Sequence, residues 1–284
     1  MHRCSLCPRE CGADRYTTVG SCRAGLRPKV ASCNVHHGEE PPISGTRGSG
    51  TIFFSNCNMS CVYCQNFPIS QLGAGNEMSV AYLAKEMLCL QKRGVHNINF
   101  VTPSHMVAQL IAAVYLARKG GLTIPIVYNT SGYDSVTALE ILDGIVDIYL
   151  ADIRYADDAK ALLYSGVEHY VETDLAALRH MYASVGNLVC DDEGVAVRGL
   201  IIRLLVFPMF SGDTSLILRK IHDSVSPDAR ISLMNQYFPA HRAHEFPAID
   251  RRLAPGEYAS VVDEMEHLGF EGWKQDIEND EGDI

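Results

Sequence analysis

Residues 51–66 of the chain read TIFFSNCNMSCVYCQN, in which three cysteines follow directly on a short apolar run. The apolar run, residues 51–54, predicts a buried strand. Cys57, Cys61 and Cys64 then fall within eight positions, spaced C-x3-C-x2-C, in the loop after that strand. Iron–sulfur cubes normally take four cysteines, so three ligands would leave one iron open to bind another molecule. A zinc site that borrows a distant fourth ligand, or simply buried thiols, are the alternatives.

The rest of the chain alternates strand-like apolar runs with helical patterns. Five further strands are predicted, at residues 97–101, 124–128, 146–150, 200–206 and 230–234. Helices are predicted from Ser79 to Gly94 and at residues 104–118, 135–142, 168–185, 215–224 and 255–268. Strands that alternate with helices imply parallel βαβ units and an α/β fold. Six units favour an open or partial barrel over the closed eight-unit barrel, with a doubly wound sheet as the alternative. In these folds the loops after the strands lie at one end, where ligands bind.

The composition is that of a globular protein with a sizeable core, since the 284 residues are 47% hydrophobic and 20% charged. Subtracting 34 Asp and Glu from 24 Lys and Arg gives a net charge of −10, which argues against a nucleic-acid partner. No apolar run reaches the roughly 18 residues of a membrane span. The first residues do not resemble a signal peptide. We therefore expect a cytoplasmic protein with no membrane or nucleic-acid partner.

Ten cysteines in a chain of this kind are more typical of metal or redox chemistry than of a disulfide framework. Four of them, Cys4, Cys7, Cys11 and Cys22, supply a complete set of thiolates for a second metal centre. Zinc, a single iron and an auxiliary iron–sulfur cluster are all compatible with that spacing. The predicted organisation is a Cys-rich metal-binding extension, a barrel and an acidic tail, at residues 1–50, 51–275 and 276–284.

Charged residues stand out at two further places in the sequence. His36, His37, Glu39 and Glu40 precede the first predicted strand and could line the mouth of the barrel cavity, although a histidine beside a carboxylate is more often a structural hydrogen-bonded pair. Arg203 lies inside an otherwise apolar predicted strand. A charge there must be paired or must face a polar cavity. Arg203 is therefore either a ligand contact or part of a structural ion pair.

The cysteine pattern, with Tyr63 before the last cysteine, resembles the signature of radical S-adenosylmethionine enzymes. Further stretches are similar to the pyruvate formate-lyase activating-enzyme-like group, in particular to homologues with a Cys-rich N-terminus, and they lie at residues 7–12, 38–45, 48–55, 101–105, 128–133 and 234–237. The resemblance covers nearly the whole chain. It implies a laterally open (β/α)6 partial barrel.

By this resemblance, Cys57, Cys61 and Cys64 would hold a [4Fe–4S] cluster whose open iron chelates S-adenosylmethionine. Reductive cleavage would then release a 5′-deoxyadenosyl radical that abstracts a hydrogen atom, with a flavodoxin- or ferredoxin-type protein as the low-potential electron donor. The resemblance implies an oxidoreductase that activates a glycyl-radical enzyme, with modification of a peptide or small molecule as the alternative. An iron–sulfur electron carrier without catalysis is an alternative of another class, and the barrel-length chain argues against it.

The resemblance also implies which residues hold S-adenosylmethionine. Where many relatives have Gly-Gly-Glu after the second strand, this chain has Val-Thr-Pro-Ser-His, so that Thr102 and Ser104 would serve the methionine amine. An arginine, Arg154, replaces the lysine of an Asp-x-Lys stretch and suits a carboxylate. The predicted cofactor contacts are Tyr63 (near the adenine), Thr102, Ser104, Asn129, Ser131, Asp152, Arg154, Arg203 and Gln236.

Overall fold

The computed structural model describes residues 1–275, and the predicted acidic tail at 276–284 lies outside the described residues. The strands in the described part are β1 (Lys29–His36), β2 (Ser49–Phe54), β3 (Asn76–Glu77), β4 (Ile98–Val101), β5 (Ile126–Thr130), β6 (Ile148–Asp152), β7 (Val189–Cys190), β8 (Ala196–Leu205), β9 (Arg230–Met234) and β10 (Gly272–Lys274). The helices are α1 (Pro41–Ser44), α2 (Phe67–Ser70), α3 (Val80–Lys92), α4 (Val107–Lys119), α5 (Val136–Glu140), α6 (Asp158–Ser165), α7 (Tyr170–Val185), α8 (Ser211–Ser224) and α9 (Pro255–His267), and a 3-10 turn spans Ala243–Glu245.

One sheet carries its strands in the order β10-β9-β8-β6-β5-β4-β2-β1-β3. Every neighbouring pair from β2 to β10 is parallel, whereas β1 runs antiparallel to β2 and to β3, and β7 runs antiparallel to β8. Within the described residues the two end strands do not pair with each other, so the barrel stays open. The six predicted strands are β2, β4, β5, β6, β8 and β9. The predicted α/β partial barrel is confirmed.

Helix positions follow the apolar spacing of the sequence where a helix has one buried face. In α3 the Ser79 side chain accepts from the N–H of Tyr82, and Leu83, Met87 and Leu90 are buried on one face. Helix α8 begins four residues before the predicted start, because its first turn is polar and carries no apolar period. Among the described residues no helix has the length and apolarity that crossing a bilayer needs.

Strand β1 lies outside the predicted strands and belongs to the predicted extension. It pairs along β2, from Val30 opposite Phe54 to His36 opposite Ser49. Its sequence, KVASCNVH, mixes small and polar residues, so it carries too few apolar side chains to predict a buried strand. Backbone hydrogen bonds to β2 stabilise this strand, although its own sequence shows no strand pattern. The boundary at residue 50 stays a prediction.

The two faces of the sheet have different surroundings, because successive side chains of a strand point to opposite faces. One face packs with the helices in the main hydrophobic core. The other carries a small apolar group, Ile43, Val127, Ile148, Leu150, Ala196 and Ile201. Asn129, Asp152 and Arg203 follow two residues after members of this group and therefore share their face. The inner face of the barrel thus changes from apolar to polar toward the carboxyl ends of its strands.

Candidate metal and cofactor site

The loop between β2 and α2 brings the three predicted cluster ligands together. Ionisation of Cys61 or Cys64 would raise the pKa of Cys57, and ionisation of Cys61 would raise the pKa of Cys64, so the three sulfurs lie close to one another. Burial raises the pKa of the Cys57 thiol to about 12, and burial also raises the pKa of Cys64. As free thiols, Cys57 and Cys64 therefore stay protonated at neutral pH. Metal binding displaces such protons and leaves thiolates.

Each sulfur of this group has a polar neighbour. The Ser165 hydroxyl donates to Cys61 Sγ across 3.0 Å, and Ser70 Oγ lies 3.0 Å from Cys64 Sγ. The sulfur of Cys57 accepts from the backbone N–H two residues further on, at 3.3 Å. Hydroxyl and amide donors of this kind orient thiolate ligands and tune a cluster. The donor set fits an iron–sulfur cluster with three protein ligands.

Tyr63, predicted to lie near an adenine, is tied to the same group of sulfurs. Its hydroxyl lies 2.6 Å from that of Tyr155, which in turn lies 2.6 Å from Ser165 Oγ. The Tyr63 ring packs edge-on against Phe207 at 4.7 Å between centroids. A chain of hydroxyl groups therefore leads from Tyr63 to the sulfur of Cys61. The adenine contact stays a prediction.

Four of the predicted cofactor contacts meet on the inner face of the barrel. Asp152 at the end of β6 stands opposite Arg203 of β8 and accepts from its Nε at 2.6 Å. Arg203 Nη2 also donates to Asn129 Oδ1 at 2.7 Å, and Arg154 Nη2 donates to the second oxygen of Asp152. These side chains form one hydrogen-bonded network. Both arginines are thus paired with Asp152.

Glu39, in the segment before β2, completes this network on the inner face of the barrel. Its Oε2 accepts from Arg203 Nη1 at 3.3 Å, and its Oε1 accepts from the amides of Asn99 at 3.1 Å and Asn129 at 3.3 Å. Burial raises the pKa of Glu39, while the charge of Arg203 acts in the opposite direction. Glu40 Oε2 lies 4.0 Å from Arg203 Nη1. The two histidines of that sequence group are exposed.

Asn99 also belongs to this network, through its amide contact with Glu39, although the sequence motifs do not single it out. It lies within β4, between two buried apolar residues, and is itself fully buried. A polar side chain in a buried strand must have a hydrogen-bond partner. A polar residue inside an apolar strand therefore indicates a polar site at Asn99, as it does at Arg203.

The loop after β4 and the end of β5 contact one another through hydroxyl groups. Ser104 Oγ lies 3.1 Å from Thr130 Oγ1. The Thr130 hydroxyl and the Tyr128 hydroxyl, the latter at 2.8 Å, both donate to Asp134, whose pKa burial raises. Thr102 adopts a left-handed φ of +58° at the start of this loop. Two predicted contacts, Thr102 and Ser104, therefore lie on one loop. Thr130 at the end of β5 links Ser104 of this loop to the buried carboxylate of Asp134.

The remaining two predicted contacts differ in their surroundings. Ser131 Oγ is buried and has no hydrogen-bond partner among the described residues. Gln236 is exposed after β9, and Gln65, next to Cys64, donates to its backbone carbonyl at 3.1 Å. Gln236 therefore lies beside the cysteine loop, and Ser131 has an unused donor.

Gly132 allows the turn after β5 to approach its neighbours closely. Its φ is +82°, and a Cβ there would lie 2.3 Å from Asp174 Oδ1 and 2.4 Å from the carbonyl oxygen of Asp152. Gly144 has a similar φ of +73°, but a Cβ there meets nothing within 4 Å. We expect Gly132→Ala to lower the free energy of unfolding by about 1–3 kcal/mol more than Gly144→Ala. Denaturant unfolding of both variants measures the difference, and equal losses would contradict the close approach.

The four N-terminal cysteines also lie in one group. Ionisation of Cys4 or Cys22 would raise the pKa of Cys7, and ionisation of Cys4 or Cys11 would raise the pKa of Cys22, so these sulfurs lie close to one another. A Cβ placed on Gly20 would lie 3.1 Å from Cys11 Sγ and 3.6 Å from Cys22 Sγ. Burial raises the pKa of the Cys7 thiol to about 12. The structure thus gathers all four thiols of the predicted second centre.

The N-terminal segment packs on the cysteine loop of the barrel. Arg9 Nε donates to the carbonyl of Asn58 at 2.8 Å, and Arg23 donates to the carbonyls of Ser70 and Gln71 at 2.6 and 2.5 Å. Within residues 1–275 no three Cys, His, Asp or Glu side chains already stand at metal-binding geometry. The structure shows two groups of cysteines, in adjoining segments.

Comparisons with known proteins add to this geometry. A family model described as Radical SAM superfamily matches residues 51–190. An uncharacterized protein from Methanocaldococcus jannaschii is 32% identical over 282 residues, an alignment that covers 94% of this chain and 75% of the relative.

Solved structures share the fold at low sequence identity. The structure of Streptococcus suis SuiB bound to S-adenosylmethionine matches with a TM-score of 0.52 and 10% identity, over 78% of this chain and 49% of that one. SuiB bound to its precursor peptide SuiA matches with a TM-score of 0.52 and 11% identity, over 77% and 47%. The chain spans about half the length of these solved structures. At this identity the likeness concerns the fold alone.

Proposed function

We propose, on the premise that this chain belongs to the radical S-adenosylmethionine superfamily, that Cys57, Cys61 and Cys64 carry its [4Fe–4S] cluster. Membership supports an enzyme that binds S-adenosylmethionine and needs an electron donor. When bound, the cluster supplies the electron that cleaves the sulfonium and releases a 5′-deoxyadenosyl radical for hydrogen abstraction. The observation that carries the proposal is the grouping of three sulfurs, each with a polar neighbour, in the loop after β2.

Arg154 is the arginine that best suits the carboxylate of S-adenosylmethionine. Nε, Nη1 and Nη2 of Arg203 all donate inside the protein. The Arg154 guanidinium is held through Nη2 by Asp152, and its Nε and Nη1 make no hydrogen bond in the described residues. The charge of Arg154 also acts on the thiols of Cys57 and Cys64. A guanidinium with unused donors can bind a carboxylate in bidentate fashion. Arg203 would then position Asp152, which in turn holds Arg154.

Ser131 is a further proposed contact to S-adenosylmethionine. The Ser131 hydroxyl is buried and unpartnered, as expected of a group that receives a ligand atom. The proposed set also contains Tyr63, Thr102, Ser104, Asn129 and Gln236.

For the reaction, we propose hydrogen abstraction from a backbone glycine of a partner enzyme, with a flavodoxin- or ferredoxin-type protein as electron donor. Modification of a peptide or small molecule is the alternative. The polar inner face around Asn99, Asn129 and Arg203 supports an enzyme over an electron carrier, because electron transfer alone needs no polar barrel interior.

The test is incubation of the anaerobically reconstituted protein with S-adenosylmethionine and dithionite, alone and with candidate substrates. We expect 5′-deoxyadenosine to form. Stimulation by a glycyl-radical enzyme, with a glycyl radical seen by electron paramagnetic resonance, supports the activase, and stimulation by a peptide or small molecule supports the alternative. A reduced, fully loaded cluster that yields no 5′-deoxyadenosine would instead favour the electron carrier.

A second metal centre on Cys4, Cys7, Cys11 and Cys22 is also proposed, as the centre that holds residues 1–50 against the barrel. Because metal binding and folding are coupled in short segments, Cys4→Ser/Cys7→Ser should lose the N-terminal metal and several degrees of melting temperature. Metal analysis and thermal unfolding check this. The matched control is Cys89→Ser/Cys190→Ser, since both of these thiols are exposed and outside the two groups. Unchanged metal content in the first variant would contradict the site.

A further inference from the structure

Arg15 is a buried cation in the N-terminal segment, with only 2% of its surface exposed. Its Nη1 donates to the backbone carbonyl of His105 at 2.7 Å and lies 4.0 Å from Cys4 Sγ, while Nη2 lies 3.9 Å from Met106 Sδ. Its Nε has no hydrogen-bond partner in the described part of the chain. Among residues 1–275 no carboxylate lies within ion-pair distance of Arg15. The guanidinium therefore faces a carbonyl and sulfur atoms.

A buried guanidinium is always protonated, so it needs a compensating negative charge. The two partly buried arginines of the barrel have one: Arg203 is paired with Asp152 and Glu39, and Arg154 with Asp152. Of the groups that Arg15 contacts, neither a carbonyl nor a thioether becomes an anion. Cysteine alone can, and Cys4 is in contact while the charge of Arg15 also reaches Cys22.

We propose that Arg15 is the counter-ion of an anionic four-thiolate metal centre on Cys4, Cys7, Cys11 and Cys22. Four thiolates around a divalent thiophilic ion such as zinc or iron leave a net charge of about −2. A cation held against the sulfurs offsets part of that charge and favours the loaded site. This inference rests on the second metal centre proposed above and is separate from the cleavage of S-adenosylmethionine.

The same side chain connects the centre to the barrel. Arg15 holds the carbonyl of His105, and His105 Nε2 lies 2.9 Å from the carbonyl oxygen of Ser55, two residues before Cys57. Burial lowers the pKa of His105 to about 4, so its ring is neutral and Nε2 carries the hydrogen that the carbonyl accepts. Arg15 is thus a positioning residue between the N-terminal centre and the loops that flank the cluster site.

The experiment uses the full-length chain with Cys57, Cys61 and Cys64 replaced by alanine, so that Co²⁺ reports on the N-terminal sulfurs through thiolate-to-metal absorption. Co²⁺ affinity, measured against a competing chelator, should fall about 10–100-fold in Arg15→Met. Arg15→Lys keeps the charge and should recover most of the affinity. Arg23→Met is the matched control, because Arg23 is an exposed arginine of the same segment that bonds to carbonyls. It should bind Co²⁺ like the parent.

Melting temperatures with and without Co²⁺ separate a charge effect from misfolding. The rise on Co²⁺ binding should be smaller in Arg15→Met than in the parent and Arg23→Met. Equal affinity in Arg15→Met and the parent overturns the counter-ion role, as does an Arg15→Lys variant as weak as Arg15→Met. Equal losses in Arg15→Met and Arg23→Met would assign the effect to packing. No Co²⁺ binding by the parent overturns the second centre itself, and leaves the S-adenosylmethionine site untouched.

Discussion

Replacement of Cys61 by alanine is expected to reduce 5′-deoxyadenosine formation to the level of a protein-free control. Two thiolates cannot hold an iron–sulfur cube, and the remaining sulfurs of Cys57 and Cys64 would keep their protons in a buried loop where burial raises the pKa of both. Iron and sulfide per chain after anaerobic reconstitution, and 5′-deoxyadenosine by chromatography, measure the loss. Cys57→Ala and Cys64→Ala should behave in the same way.

The control for this series is Cys89→Ala, which removes an exposed thiol outside both cysteine groups. It should keep the iron content and the rate of the parent. Cleavage of S-adenosylmethionine at the parent rate in any one of the three loop variants would reject the ligand assignment. The N-terminal metal should persist in all of them, since its four thiols are unchanged.

Arg203→Ala is expected to lower the free energy of unfolding by about 3–5 kcal/mol, as when one partner of a buried ion pair is removed. The loss leaves Asp152 and Glu39 without the guanidinium that donates to both, at 2.6 and 3.3 Å, inside the barrel. Arg203→Lys should restore only part of the stability, because an ammonium cannot donate in a planar fork to several acceptors. Denaturant unfolding at neutral pH measures each variant.

Two comparisons show whether this loss is one of structure or of ligand binding. Arg219→Ala breaks an exposed pair with Glu264 and should cost no more than about 1 kcal/mol. Arg154→Ala should instead weaken S-adenosylmethionine binding without changing the iron content. An Arg203→Ala protein that unfolds like the parent and yet loses S-adenosylmethionine affinity would make Arg203 a direct ligand contact. Unchanged affinity in both variants would reject both arginines as ligand contacts.

The sequence alone determined the parallel strands and the position of the cysteine loop. Each central strand is a run of apolar residues between turn signals, and its burial on both faces follows from the alternation with helices. Cys57, Cys61 and Cys64 lie within eight positions, so a short loop brings their sulfurs together whatever the rest of the chain does. The same reasoning, over a longer segment, predicted the N-terminal group of thiols. Local chemistry was sufficient in these cases because the interacting residues are near neighbours in the chain.

Only the tertiary structure decided which buried charges meet. Glu39 pairs with Arg203, which lies 164 positions later, and Arg15 donates to the carbonyl of His105, 90 positions later. No local sequence pattern encodes such pairs. They depend on the strand order, on the register between β6 and β8, and on the antiparallel pairing of β1 with β2, whose connection contains Glu39. Once buried, each charge requires a partner of opposite charge or a hydrogen-bond partner, since the low-dielectric interior holds no water to solvate the charge. The fold therefore selects partners that the sequence shows only as isolated polar residues.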